Sequence, residues 1–186
     1  MPRRYLTFSP GEHFHLYNRG VNRDIIFFDD DNYEFFLHNI LRYMLPVVDI
    51  VAYCLMPNHY HILIRVKETS EVEPTSEVSR MMMKLAVSYT KGLNHRYDRI
   101  GPLFQGAFQA KHISSTAYLF QVIGYIHYNP VEAELVRSPE DWIFSSSRAY
   151  LGLEVSQILS VETLLDLGGL ANYLEVKNTN LISPQV

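Results

Sequence analysis

Two histidines, His59 and His61, open the aliphatic run His59-Tyr60-His61-Ile62-Leu63-Ile64. In a β-strand, residues two apart point to the same face. Both imidazoles can therefore aim at one metal ion, while Tyr60, Ile62, Ile64 and Val66 face a core. Two imidazoles do not saturate a metal, so positions stay open for a substrate. Spacing alone does not select this pair, because the chain carries a second copy, His13-Phe14-His15. Further chemistry lies in the helix-like segment Tyr118 to Val131. There Tyr125 and Asn129, four residues apart, share a face if the helix persists. A phenol beside a metal is a candidate nucleophile, because the metal can activate the phosphate it attacks. Periodicity equally allows Tyr125 to pack on a sheet, and it leaves Tyr118 and Tyr128 eligible.

Several elements must position these groups. His13 to Tyr17 reads as a strand, followed by the turn-like Asn18-Arg19-Gly20. Asp29-Asp30-Asp31 precede Tyr33, Phe36, Leu37, Ile40, Leu41 and Met44, which have the spacing of an amphipathic helix that Pro46 stops. Val47 to Met56 and His59 to Lys67 read as strands joined by Pro57-Asn58. Glu68 to Ser76 reads as a loop. A second helix is expected from Glu77 to about Tyr97, with Val78, Met82, Leu85, Tyr89 and Leu93 on its buried side. Phe108 to Ile113 can form a fourth strand. Ser114-Ser115-Thr116 then cap a third helix that Pro130 ends or kinks. The order strand, helix, strand, strand, helix, strand matches the split β-α-β unit of an α+β, ferredoxin-like sandwich. In it the first and third strands are central neighbours, and His59 and His61 lie mid-sheet.

The chain has 186 residues, about one domain's worth, of which 47% are hydrophobic. That composition excludes a disordered chain. The single cysteine, Cys54, sits in an apolar run and reads as a buried, inert thiol. The absence of a cysteine framework fits a reducing compartment. Neither a signal peptide nor a membrane span is read, so a soluble cytoplasmic protein is expected. Net charge is −4, yet residues 1–129 hold 13 Lys+Arg against 12 Asp+Glu and residues 130–186 hold 3 against 8. The acidity is concentrated in the C-terminal segment, and a local basic stripe can still bind phosphates.

Leu55-Met56-Pro57-Asn58-His59-Tyr60-His61-Ile62-Leu63-Ile64 resembles the signature of the single-tyrosine HUH transposases, and Gly124-Tyr125-Ile126-His127-Tyr128-Asn129-Pro130-Val131 resembles their second signature. Arg19-Gly20, Ile25 to Asp30, Gly101 to Gly106 and Asp141 to Ser146 resemble further family motifs in the same order. The branch resembled is the REP-associated tyrosine transposases, relatives of the insertion-sequence 200 type. The resemblance implies the HUH endonuclease fold. It also implies a divalent ion, Mg²⁺ or Mn²⁺, held by His59, His61 and Asn129. Tyr125 would attack single-stranded, hairpin-forming DNA to give a 5′-phosphotyrosine link and a free 3′-OH, so that strands are cut and rejoined. The alternative is a domesticated DNA-hairpin-binding regulator that does not cleave. The chain departs from common family residues at Ala107, Glu132 and Ser147, which bears on which DNA is recognised.

On the second helix Arg80, Lys84, Lys91 and His95 cluster on one side, either as a solvated face or as a phosphate track. Arg19, Arg23, Arg96, Arg99 and Lys111 could extend such a track, and Arg3 and Arg4 could reach a groove. Phe104 and Phe108 could stack on bases or pack in the core. His13 and His15 could support the metal ligands or be plain sheet-face residues. A transposase domain over 1–149 and a C-terminal helical extension with a frayed tail over 150–186 are expected. A monomer and a homodimer both remain compatible with the chain.

Overall fold

In the computed structural model, residues 6–68 and 74–160 are described. The order is β1 (His13–Arg19), α1 (Asp30–Asn39), β2 (Val48–Met56), β3 (His59–Val66), α2 (Pro74–Arg96), β4 (Gln109–Ile113), α3 (Thr116–Glu132) and the short α4 (Ser147–Tyr150). The four strands form one sheet in the order β2-β3-β1-β4, and every neighbouring pair is antiparallel. This is the ferredoxin-like arrangement expected from the element order, with β1 and β3 at the centre.

Side-chain alternation divides the protein into two layers. Phe14, Leu16, Tyr60, Ile62, Ile64 and Val66 join α1 and α2 in one apolar cluster. Leu63 joins α3 in a second cluster on the opposite face. On β2 the parity changes at a bulge between Ile50 and Ala52. The extra residue turns Cys54 and Met56 toward α3, and Tyr53 and Leu55 toward the other layer. Cys54 is fully buried, and burial pushes its thiol pKa up.

Helix boundaries differ from the periodic expectation in two places. The first helix has the expected extent, with its last turn, Ile40–Met44, wound as a π-turn closed by Leu45 N–H to Ile40 O at 3.3 Å. The second helix begins at Pro74 rather than Glu77. Proline is favoured in a first turn because its fixed φ suits the helix and its missing N–H has no partner there anyway. The third helix runs through Pro130 to Glu132. Pro130 lies in the last turn, where its ring removes one hydrogen bond and the chain closes normally, with Ala133 N–H on Asn129 O at 3.0 Å.

The segment after α3 seals the edge of β2. Leu55 N–H donates to Phe144 O at 2.9 Å, and the Trp142 indole N–H donates to Leu55 O at 2.9 Å. Ser146 Oγ is buried between Tyr53 N–H (2.9 Å) and His127 Nε2 (2.7 Å). The Asp141 to Ser146 motif is therefore an edge cover. Ser146→Ala removes both buried hydrogen bonds and is expected to lower stability by about 2 kcal/mol in urea unfolding. Further on, Leu159 bridges Ile50 in parallel, and Ser160 N–H donates to Ile50 O at 2.9 Å. Residues 150–160 thus pack on the same sheet. The expected basic start, Arg3 and Arg4, and most of the expected C-terminal extension lie outside the described residues. Among the described residues, no helix is long and apolar enough to cross a membrane.

Candidate active site

His59 and His61 lie on the α3 side of β3, as the strand alternation requires. They line a cleft of about 650 Å³ together with Tyr17, Arg19, Arg23, Asn58, Gln105, Gln109 and Tyr125. The two rings are 5.0 Å apart and nearly perpendicular. Tyr125 projects from α3 and meets the His61 ring edge-to-face at 5.5 Å. Asn129, one turn further along α3, is 8% exposed and completes the group. The phenols at Tyr118 and Tyr128, eligible by periodicity, do not line this cleft.

The hydrogen bonds fix which atoms face one another. Asn58 Nδ2 donates to Arg23 O at 3.2 Å, so Asn58 Oδ1 is the atom 2.6 Å from His59 Nδ1. An amide oxygen only accepts, so His59 carries its proton on Nδ1 and a lone pair on Nε2. Asn129 Nδ2 donates to Tyr125 O at 3.1 Å, which leaves Asn129 Oδ1 facing His59 Nε2 at 3.4 Å. With His59 in that tautomer two acceptors face each other, an arrangement that a cation would relieve. Adjacent ligands around an octahedral ion with ~2.1 Å bonds are ~3.0 Å apart, close to this separation. The His61 ring also interacts with Asn129. Among the described residues no group of three or more His, Cys, Asp or Glu could hold a metal, and the further oxygen donor beside His59 is the Asn129 amide.

The pKa directions suit ligation, which needs neutral imidazole. Burial lowers His59, and burial with the neighbouring His15 and His59 lowers His61 well below its ordinary value. His15 is brought down to about 4, first by burial and then by Lys111.

Loop contacts carry the cationic groups into the cleft. Gly20 bridges Phe104 across the sheet edge, and Gln105 N–H donates to Arg19 O at 2.9 Å. The Gln105 side chain then accepts from Arg19 Nε at 2.6 Å. A Cβ on Gly20 would sit 2.1 Å from Asp24 O, so only glycine lets the chain turn back there. The turn that follows holds Asn22 and Arg23 at positive φ, 56° and 63°. Such strain persists where surroundings over-determine it, and here it presents Arg23 to the cleft.

The other basic candidates fall elsewhere. Lys111 pairs in register with His15 on the edge strand β4, on the same sheet face as the histidines, with its Nζ 5.9 Å from the Tyr118 ring centre. Arg80, Lys84, Lys91 and His95 are exposed on α2, in the layer across the sheet from His59 and His61. Arg80 is ion-paired with Glu77 at 2.6 Å. Arg96 is held by Asp29 and Asp31 at 3.0 and 2.8 Å, and Arg99 lies over the Phe28 ring. Phe104 and Phe108 are buried in the α1–α2 core. Gln105 belongs to the Gly101 to Gly106 motif, whereas Tyr17 and Gln109 enter the cleft without a motif to flag them. Tyr17 does so because it pairs with His61, a register fact that alternation within β1 does not reveal.

Comparison with known proteins bears on the family and the fold. A curated Haemophilus influenzae protein named as a REP-associated tyrosine transposase is 27% identical over 104 residues, covering 53% of this chain and 58% of that one. The match thus spans little more than half of the relative's length. A solved structure of a REP-associated tyrosine transposase bound to a REP hairpin superposes with a TM-score of 0.66 at 16% identity. It covers 86% of this chain and 98% of that chain. At that identity the likeness shows the fold. Residues 12–129, more than half of the chain, match the family described as Transposase IS200 like. The protein belongs to the IS200-like transposase family.

Proposed function

We propose that this protein is a metal-dependent single-strand DNA endonuclease and strand transferase acting on hairpin-forming DNA. The observation that carries the reading is the approach of His59 Nε2 and Asn129 Oδ1 to 3.4 Å, beside the cleft that His59, His61 and the Tyr125 phenol line. His59, His61 and Asn129 are the residues that would hold Mg²⁺ or Mn²⁺. When bound, such an ion polarises the scissile phosphate. The chain supplies the remainder. Tyr125 Oη attacks phosphorus and loses its proton, the bond from phosphorus to the 3′ oxygen breaks, and that oxygen leaves as a 3′-OH. The resulting 5′-phosphotyrosine conserves a phosphoester, so a 3′-OH can reverse the step without ATP. Arg19 and Arg23 offer charge to the flanking phosphates at the cleft mouth. The relative solved with a REP hairpin supports a hairpin as the DNA form.

Three neutral ligands leave a divalent charge uncompensated, and the DNA phosphate is the natural anion to offset it. Labelled hairpin DNA with single-stranded flanks, incubated with Mn²⁺, is expected to yield a denaturant-resistant protein–DNA adduct and a free 3′-OH fragment. Hairpin binding with no adduct across varied flanks would point to the non-cleaving regulator.

The DNA path follows from the same geometry. Arg19 and Lys111 share the sheet face of the histidines, whereas Arg80, Lys84 and Lys91 can hold only DNA that reaches the far layer. Arg19→Ala is expected to weaken hairpin binding roughly three- to tenfold and to lower the salt slope by about one. Lys84→Ala is expected to leave binding nearly unchanged. Fluorescence anisotropy over a salt series distinguishes the two.

A further inference from the structure

His15 lies on β1 and is 3% exposed, beneath the ligand pair. Its Nε2 is 2.9 Å from His61 Nδ1, and the two rings are 5.0 Å apart. His61 itself is 5% exposed. A charged imidazolium is costly at such depth, so the contact joins two neutral rings. One must donate and the other accept. If His15 donates, the His61 proton sits on Nε2 and blocks that atom as a ligand. If His61 donates, its Nε2 presents a lone pair to the cleft.

We propose that His15 is a positioning residue that accepts the His61 Nδ1 proton and so fixes the tautomer in which His61 Nε2 can bind a divalent cation. The inference rests on the proposed metal site. It makes the two ligands equivalent in design. Asn58 Oδ1 accepts from His59 Nδ1 at 2.6 Å, and His15 Nε2 does the same for His61 from the neighbouring strand. Such partners orient metal-bound histidines and raise their basicity. The pairing is diagonal across the sheet, since His15 is in register with Leu63 and His61 with Tyr17. It follows that one histidine of the first H-x-H, His15, serves the second.

The test compares His15→Gln, which keeps an acceptor near Nε2, with His15→Met, which keeps volume and loses the acceptor. Mn²⁺ binding to the protein alone is followed by electron paramagnetic resonance, beside the melting temperature of each variant. His15→Met is expected to bind Mn²⁺ roughly 10- to 100-fold more weakly, and His15→Gln to recover most of that loss. ¹⁵N NMR of the wild-type protein with Mg²⁺ is expected to place the His61 proton on Nδ1, a readout that survives even if a variant fails to fold. Wild-type Mn²⁺ affinity in His15→Met, or a His61 proton on Nε2 with Mg²⁺ bound, overturns the role of His15 alone. If wild-type protein binds Mn²⁺ no better than His59→Ala does, the metal site fails and the role of His15 fails with it.

Discussion

Replacing Tyr125 with Phe is expected to abolish the covalent protein–DNA adduct, a loss of roughly 10³-fold or more, as removal of a nucleophile typically produces. The substitution removes one oxygen and no packing. Tyr125 is half-buried, and its ring keeps the edge contact with His61 at 5.5 Å. Hairpin affinity should therefore stay within about twofold, because the phosphate contacts proposed for Arg19 do not depend on the phenol. The rival is Tyr17, whose ring lies 6.1 Å from His61 and which lines the same cleft. Geometry favours Tyr125 because Asn129, a metal ligand in this account, is bonded to its backbone oxygen. The proposed ligand and the proposed nucleophile are thereby tied together on one turn of α3. Tyr17→Phe should leave adduct formation within a few-fold of wild type. Adduct yield on denaturing gels and hairpin affinity by anisotropy, measured for both variants, separate the two phenols.

His59→Ala is expected to weaken Mn²⁺ binding by more than about 100-fold and to remove cleavage, with hairpin binding retained. Loss of a supporting group costs about 10- to 100-fold in such sites, and loss of a ligand should exceed that. The variant also leaves Asn129 Oδ1 without the opposed acceptor 3.4 Å away. In the metal-free protein that removes a repulsion, so the thermal stability of His59→Ala without metal should equal or exceed that of wild type. A purely structural histidine would give the opposite sign, with stability falling and Mn²⁺ affinity unchanged. Titration calorimetry with Mn²⁺ and melting curves in chelator distinguish the two cases.

Much of this was legible in the residues themselves. Alternation along β3 assigns Tyr60, Ile62, Ile64 and Val66 to one layer and the histidines to the other. The four-residue spacing of Tyr125 and Asn129 puts them on one helical face because the helix persists through Pro130. Other features depend on register and layer, which periodicity does not encode. The basic stripe of α2 is visible as a stripe, but only its packing on the α1 side reveals that it lies across the sheet from the site. The bulge at Ile50–Ala52 reverses the parity of β2, so Cys54 faces α3 although strict alternation from Ile50 would turn it away. His15 and Tyr17 reach His61 through the pairing of β1 with β3. Gln105 reaches Arg19 through the contact between Gly20 and Phe104.

The central claim is that Tyr125 becomes covalently joined to DNA in a site completed by His59, His61 and Asn129. Its most direct test is mass spectrometry of the adduct formed with hairpin DNA and Mn²⁺, after protease and nuclease digestion. The expected result is a nucleotide 5′-phosphate attached to the peptide that contains Tyr125, absent when Mn²⁺ is withheld. Attachment at Tyr17 or another residue, or an adduct that forms equally well in chelator, would contradict the account.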